Sequence, residues 1–222
     1  NAASALPEDE HSAVIFAYSM IGEDSFPEQS IRLSQFEEQM QELHEEDYDV
    51  LPLGKVVEAF NNETALPERS VVLTFDGSHK SVIQKALPIL ERYEFPFTVF
   101  LAIDRIDMAQ GGYMSWSDVK SLARNKYATI GLHTASYRHV AEDDRATILS
   151  EINRARSILR DKTGIEADYF AYPFGEYSTT FHDIIKEQEF KAAVGQSSGA
   201  AYKGSDIYDL PRFAMTEEYG DL

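Results

Sequence analysis

The sequence predicts an α/β fold, a distorted or incomplete (β/α)7-type barrel in a single domain. Three observations carry this expectation. Short apolar, β-branched runs alternate with amphipathic stretches of roughly 10–20 residues, the pattern of βα units with parallel strands. Six or seven such units follow one another along 222 residues, with no internal repeat, low-complexity tract or linker between them. Polar and aromatic residues gather where those strands end, as they do at the mouth of a βα barrel.

The elements follow in order. Ser12–Tyr18 (SAVIFAY) is a short apolar run and reads as a buried strand. Leu33–Glu46 places Phe36, Met40 and Leu43 on one helical face, with Ser34 as cap and Glu37 three positions on. Tyr48–Leu51 is a second strand and Val56–Asn61 a short helix. Ser70–Phe75 (SVVLTF) is a β-branched strand. In Lys80–Tyr93, residues Val82, Ile83, Ala86, Leu87 and Leu90 share one face, and Pro96–Ile103 (PFTVFLAI) is the next strand. Ser115 and Asp118 mark the start of a helix that runs to Asn125, and Ala128–Leu132 is a strand ending at His133. Asp143–Lys162 is a long helix with Ile148, Ile152, Ala155 and Leu159 inward, stopped by Gly164. Tyr169–Tyr172 is a strand, Ser178–Gln188 a helix and Lys191–Val194 a short strand. Ile207–Phe213 is expected to be the last strand, kept at an edge by Pro211.

Composition narrows the function classes. Apolar residues at 43% and charged residues at 26% are those of a globular chain and exclude wholesale disorder. Twenty basic against 38 acidic residues give a net charge of −18. Such a surface repels phosphate backbones and anionic lipid headgroups, so nucleic acid is a poor partner, and solubility accounts for the acidity. The absence of cysteine excludes disulfides, thiolate zinc sites and cysteine nucleophiles. No apolar run approaches the ~18 residues of a membrane-spanning helix. Residues 1–11, which start without Met, are small, polar and acidic and read as a flexible arm, leaving 12–222 as the domain.

In a βα barrel the reactive groups lie at the carboxyl ends of the strands. Those ends offer Tyr18, Ser19 and Met20; then Asp76, Gly77, Ser78 and His79; then His133, Thr134, Ser136, Tyr137 and His139; then Pro173, Phe174, Gly175 and Glu176; and finally Arg212. Singly, each has an ordinary reading. An Asp after a strand is a turn or cap residue, a lone His is a hydrogen-bonded core or surface residue, and Pro-Phe-Gly is a turn. Their recurrence at successive strand ends makes them a candidate site.

The runs that hold these residues resemble a known family. Val72–Leu101 looks like the first signature of the NodB-type polysaccharide deacetylases (carbohydrate esterase family four), T-F-D-D-G followed by a helix and P-x-T-x-F. Gly112–Val140 is similar to the block carrying H-[ST]-x-x-H, Phe170–Tyr177 to the block ending P-[FY]-G, and Asp209–Met215 to the late Arg segment. Tyr18–Gln39 looks like the opening Y-H-x-x-G block. The resemblance spans nearly the whole chain and points to the exopolysaccharide, poly-N-acetylglucosamine branch.

What the resemblance implies is the NodB, or glycoside hydrolase–deacetylase, fold and metal-assisted hydrolysis of acetamide C–N bonds on an N-acetylglucosamine-type polysaccharide. It also implies a periplasmic or secreted bacterial location. In the family one Asp is the base for water, while a second Asp and two His hold a divalent, zinc-type ion that polarises the carbonyl. By position, Asp76 matches the base, His133 the first metal His and Arg212 the late Arg, so Asp76 and Arg212 are the expected catalytic residues. Tyr172, Pro173, Phe174 and Gly175 fall in the substrate-binding block. Gly77 stands where the metal-binding Asp belongs, Tyr137 where the second His belongs and Ser19 where many relatives have a His. The family's late acid His has no match after Gly195.

One metal ligand of three is therefore kept, below the three or four protein ligands of zinc sites. Two readings follow. In one the site is degenerate: no ion occupies the usual position, and the barrel binds glycan or serves a biofilm or export machine. In the other, His79 and His139 join Asp76 and His133 in a rebuilt zinc- or nickel-type site. Tyr137 has a reading of its own, as a plug in the emptied position with its phenol donating to His133 or Asp76.

Overall fold

Sheet order follows chain order, which puts the strand ends named above on one rim. The computed structural model describes residues 11–218. The expected arm, residues 1–11, lies outside the described residues apart from His11. The chain runs through β1 (Ser12–Tyr18), β2 (Met20–Ile21), β3 (Ser30–Ile31), α1 (Leu33–Glu45), β4 (Asp49–Val50), α2 (Leu53–Asn62) and β5 (Ser70–Asp76). It continues through α3 (Leu87–Arg92), β6 (Phe97–Leu101), α4 (Ile103–Asp107), α5 (Trp116–Ala123), β7 (Ala128–Leu132) and α6 (Arg145–Thr163). It ends with β8 (Tyr169–Ala171), α7 (Thr179–Glu187), β9 (Ala192–Val194), β10 (Ala201–Tyr202) and β11 (Phe213–Ala214).

Strands β1, β5, β6, β7, β8 and β9 pair in parallel in that order. The sheet curls, but β9 does not reach β1. The last segment lies between them: Leu210 bridges Val194, and β11 pairs with β1 through Phe16–Phe213 and Ala17–Ala214. The α/β barrel is thus incomplete, as expected, with a thin seam. The expected strand Ile207–Phe213 is not formed as such. Pro211 has no N–H to give a ladder, so only the bridge at Leu210 and the two residues of β11 pair.

Other local readings shift for physical reasons. The cap of α1 is Arg32 with Gln35, whose side chain accepts from the Arg32 N–H at 3.3 Å, not Ser34 with Glu37. Lys80–Tyr93 divides into a π turn over Val82–Ala86 and then α3. Pro88 has no N–H to offer the carbonyl four residues back, and Leu87 N–H reaches Val82 O, five back. Strand β6 ends at Leu101, and the α4 turn begins at Ile103. By contrast β1 and β7 have the expected bounds, Gly164 ends α6 at φ 75°, and Ser115 and Asp118 form a reciprocal cap.

Alternation along the strands builds two apolar layers. Val14, Phe16, Leu73, Phe75 and Val99 face the outer helices. Ala13, Ile15, Val72, Phe100, Ala171 and Val194 fill the barrel together with Leu53, Val56 and Val57 of α2. On β5 the inward parity is Val72, Thr74, Asp76. On β7 it is Gly131, then His133 just past the strand. The last inward residue of each strand therefore points into the mouth.

Gly131 marks how tightly the interior is filled. A Cβ there would stand 2.6 Å from the Phe100 ring and 2.9 Å from the Tyr169 carbonyl oxygen. Gly131→Ala is expected to destabilise the fold by about 1–3 kcal/mol through overpacking. Urea unfolding checks it against Gly204→Ala, where a Cβ meets nothing within 4 Å and the midpoint should not move. Equal midpoints for the two variants would contradict a filled barrel.

Candidate active site at the strand ends

Asp76 closes β5 on its inward face and is almost wholly buried. Arg212 reaches it from the segment before β11: Nη1 donates to Oδ1 at 2.9 Å and Nη2 to Oδ2 at 2.8 Å, a bidentate pair. Arg212 also donates from Nε to Gly195 O at 2.6 Å and from Nη1 to Thr74 Oγ1 at 3.1 Å. The Thr74 hydroxyl donates in turn to Phe16 O at 2.6 Å. Burial by itself would raise the Asp76 pKa, but the charge and hydrogen bonds of Arg212 work against it, and the carboxyl stays below its ordinary range.

His133 is fully buried behind Asp76, its Nε2 4.0 Å from Oδ1. Nε2 accepts the Gly77 N–H at 3.1 Å, and Nδ1 donates to Ala171 O at 2.9 Å. Only the neutral Nδ1–H tautomer satisfies both partners. Burial pushes its pKa down to about 4, against the opposing pull of Asp76 and the Ala171 carbonyl.

Tyr137 sits at φ 48°, in the left-handed region. Its ring meets His133 at 4.3 Å between centroids and Phe174 at 4.8 Å. It covers the His133 ring beside the expected metal position, but by ring contact: the Nε2 that could have accepted its phenol is taken by Gly77. The loop is held from below by a side chain that sequence reasoning missed. Glu151, buried on α6, accepts from Ser136 N–H at 2.8 Å and Ser136 Oγ at 2.6 Å. Its signal was a carboxylate on the apolar stripe of Ile148, Ile152 and Ala155. Arg105 carries no signal in the sequence, because its partners come from other connections. Its guanidinium lies 4.6 Å from the Tyr113 ring centre and 4.5 Å from that of Tyr137, and Nη1 donates to Gly77 O at 3.1 Å.

Asp76, Gly77, Ser19, His79, Arg105, Tyr137 and Phe174 line a cavity of about 250 Å³. Other expected positions fall elsewhere. Arg212 and His133 back the cavity wall through Asp76 without being exposed. Tyr172 faces the outer core, donating to Tyr208 O at 2.8 Å and packing on Phe181, because strand parity turns it away from the mouth. Pro173 is buried. Gly175, at φ 68°, lies so close to Gln196 that a Cβ would collide at 2.2 Å. Phe174 is the exposed member of that block.

The rebuilt metal site is not assembled. His79 is drawn to Ser81 Oγ at 2.7 Å, and His139 to Glu176 while stacking on Phe174 at 4.4 Å. Asp76 has both oxygens on Arg212, and His133 has both nitrogens on backbone groups. Among the described residues no three His, Asp or Glu side chains come together as a group able to hold an ion. The residues present do not fit a zinc-type ion. A larger cleft, about 910 Å³, lies beside α2 at the opposite end of the barrel and contains none of these groups.

Comparison with known proteins bears on this site. Residues 63–193 match the family described as Polysaccharide deacetylase. The chain is 22% identical to a poly-beta-1,6-N-acetyl-D-glucosamine N-deacetylase of Staphylococcus aureus, over 91% of this chain and 73% of that protein. A protein of the same name from Escherichia coli is 23% identical over 82% of this chain, which spans 33% of its length. Solved structures that share the fold include these two. One is the Streptococcus pyogenes deacetylase PplD in complex with acetate, with a TM-score of 0.87 at 20% identity over 95% of each chain. The other is IcaB from Ammonifex degensii, with a TM-score of 0.85 at 21% identity over 95% of this chain and 94% of that one.

The buried neutral imidazole predicts a pH signature. A His lowered to about 4 in the fold, against about 6.5 when unfolded, leaves the unfolded chain binding more protons between those values. Its contribution is therefore complete above pH ~6.5 and is lost as pH falls towards ~4, by about 3 kcal/mol over the whole window. Urea unfolding of the wild type and His133→Gln at pH 7, 5.5 and 4.5 checks it. The wild type should lose stability more steeply, and parallel losses would refute a buried neutral His133.

Proposed function

Because this chain belongs to the polysaccharide deacetylase family, we propose that it binds an N-acetylglucosamine-type glycan at the strand-end cavity without a family-type metal ion and without the family's hydrolysis. One observation carries the reading: the positions that the family uses for its ion are occupied by groups already committed to the protein. Gly77 has no side chain and gives its N–H to His133. His133 has no free nitrogen. Tyr137 fills the space above it with an aromatic ring.

What supports glycan binding is the remainder of the mouth. The cavity is smaller than the ~300–1,000 Å³ of drug-sized pockets, the scale of a sugar unit or of a chain laid across the opening. Its lining mixes the exposed Phe174 ring with short polar groups from Ser19, Gln29, Gln196 and Thr216, a surface that can pack on a sugar face while hydrogen-bonding its hydroxyls. The relatives named for poly-beta-1,6-N-acetyl-D-glucosamine supply the glycan to try first. Such a polymer is met outside the cytoplasm, so the reading includes an exported protein.

Equilibrium dialysis with zinc and calorimetry with N-acetylglucosamine oligomers test the reading together. The wild type should take up well under one zinc per chain at micromolar metal and still bind the oligomer, with affinity falling several-fold in Phe174→Ala. Gly77→Asp with Tyr137→His should raise zinc affinity steeply, and neither change alone should, because ligands act as a set. A Cβ at Gly77 has room, with 3.4 Å to the nearest atom, but the backbone sits at φ 88°, so the Asp costs about 1 kcal/mol or more. Chelator-sensitive deacetylation by the wild type at about 1 s⁻¹ or faster would overturn the loss of catalysis.

A further inference from the structure

The strand-end cavity holds a cation whose charge no neighbouring carboxylate cancels. Three charged side chains line it: Asp76, Glu28 and Arg105. Asp76 is neutralised by the bidentate Arg212. Glu28 is exposed at the rim, where water screens it. Arg105 pairs with no Asp or Glu among the described residues, although the chain has nearly twice as many acidic as basic residues. Its protein partners are instead the Tyr113 and Tyr137 rings and the carbonyl of Gly77.

The place of that charge matters. A Cβ on Gly77 would point to within 3.4 Å of Arg105 Nη1 and 3.5 Å of Tyr137 Cε1. The guanidinium therefore flanks the space that a metal-binding side chain at position 77 would enter. Two aromatic contacts and one hydrogen bond hold a long, entropically costly side chain in place. Only part of its fork is used, and a guanidinium fixed in this way presents its remaining N–H groups to a planar acid at little further entropic cost.

We propose that Arg105 is the anion anchor of this cavity and that the ligand it selects is an N-acetyl sugar bearing a carboxylate, rather than a neutral or a deacetylated, cationic glucosamine chain. The inference rests on the glycan reading above and adds to it the charge of the ligand. A carboxylate against Arg105 replaces water on a partly buried cation and leaves the Asp76–Arg212 pair undisturbed. An ammonium at the same place would meet Arg105 directly.

Four probes at fixed ionic strength test this by ligand-observed NMR and calorimetry: sodium acetate, inorganic phosphate, a neutral N-acetylglucosamine oligomer, and an oligomer of equal length containing N-acetylmuramic acid. The wild type should saturate with acetate and prefer the acidic oligomer by roughly tenfold, the scale of a charge-assisted hydrogen-bonded contact. Arg105→Gln should abolish acetate saturation and the preference, so that the acidic oligomer loses more affinity than the neutral one. Arg105→Lys, which keeps the charge but not the fork, should retain only part of the preference. Unchanged melting curves show that the variants are folded. Equal binding of the two oligomers by the wild type, a preference that survives Arg105→Gln, or tighter binding of inorganic phosphate than of acetate would each overturn the anchor. Acetate saturation lost in Arg105→Gln, with neither oligomer binding, would overturn the glycan reading and leave Arg105 as a carboxylate site.

Discussion

Asp76 and Arg212 are 136 residues apart in the chain and share two hydrogen bonds in the barrel, and the remaining architecture of the mouth is arranged around that contact. Arg212 belongs to the thin segment that spans the gap between β9 and β1. Its guanidinium ties that segment to β5 through Asp76 and Thr74 and to the end of β9 through Gly195 O, while Thr74 carries the link on to β1 through Phe16 O. A seam with few ladder hydrogen bonds is thereby closed by side chains. A buried ion pair is not by itself evidence of net stability, but removing either partner leaves a buried, uncompensated charge, an effect of about 3–5 kcal/mol. The pair thus commits the closing segment to one position, and with it the wall of the cavity.

The electrostatics of the site follow from that commitment. With Asp76 neutralised, nothing in its surroundings is strong enough to keep His133 protonated against burial, and the ring settles as a neutral group between two backbone partners. That tautomer spends the nitrogen facing the mouth on Gly77 N–H. Gly77 can offer it because its φ of 88° is open to glycine. The same small residue leaves room for Arg105 and for the Tyr137 ring. Three non-glycine residues around the mouth, Ser78, Tyr137 and Phe174, also hold positive φ. Such backbone strain persists only where surrounding contacts over-determine it. Here those contacts include the Ser136–Glu151 hydrogen bonds below Tyr137 and the ring contacts between His133, Tyr137, Phe174 and His139.

The family's chemistry depends on a positive charge placed at this rim, and this chain also has one there, but as a guanidinium. A guanidinium can donate hydrogen bonds and attract an anion. It cannot ionise a bound water as a divalent ion does. On the reading proposed here, exchanging hydrolysis for recognition needs no change of fold, because the mouth is formed by the last inward strand residues and the loops after them, while the rest of the barrel interior and the helical layer lie below it.

What the sequence determined by itself was everything that a local period or a local cap can encode. The unbroken apolar run of β1, the bounds of β7, the Gly164 stop and the Ser115–Asp118 cap are set by residues within a few positions of one another, and the βα alternation made the barrel and its strand-end site legible. Its place directly after the apolar run Ser70–Phe75 put Asp76 at the mouth. Tertiary structure alone decided where the loop side chains point and what closes the sheet. His79 and His139 are equally plausible ligands in the sequence, yet one turns to Ser81 and the other to Glu176. Arg105 carries no local mark, since its partners Tyr113 and Tyr137 come from other connections. The physical reason is one of range. Backbone periodicity and capping act over about a turn or a strand, whereas the direction of a loop side chain is set by partners that chain folding, and not chain sequence, brings alongside.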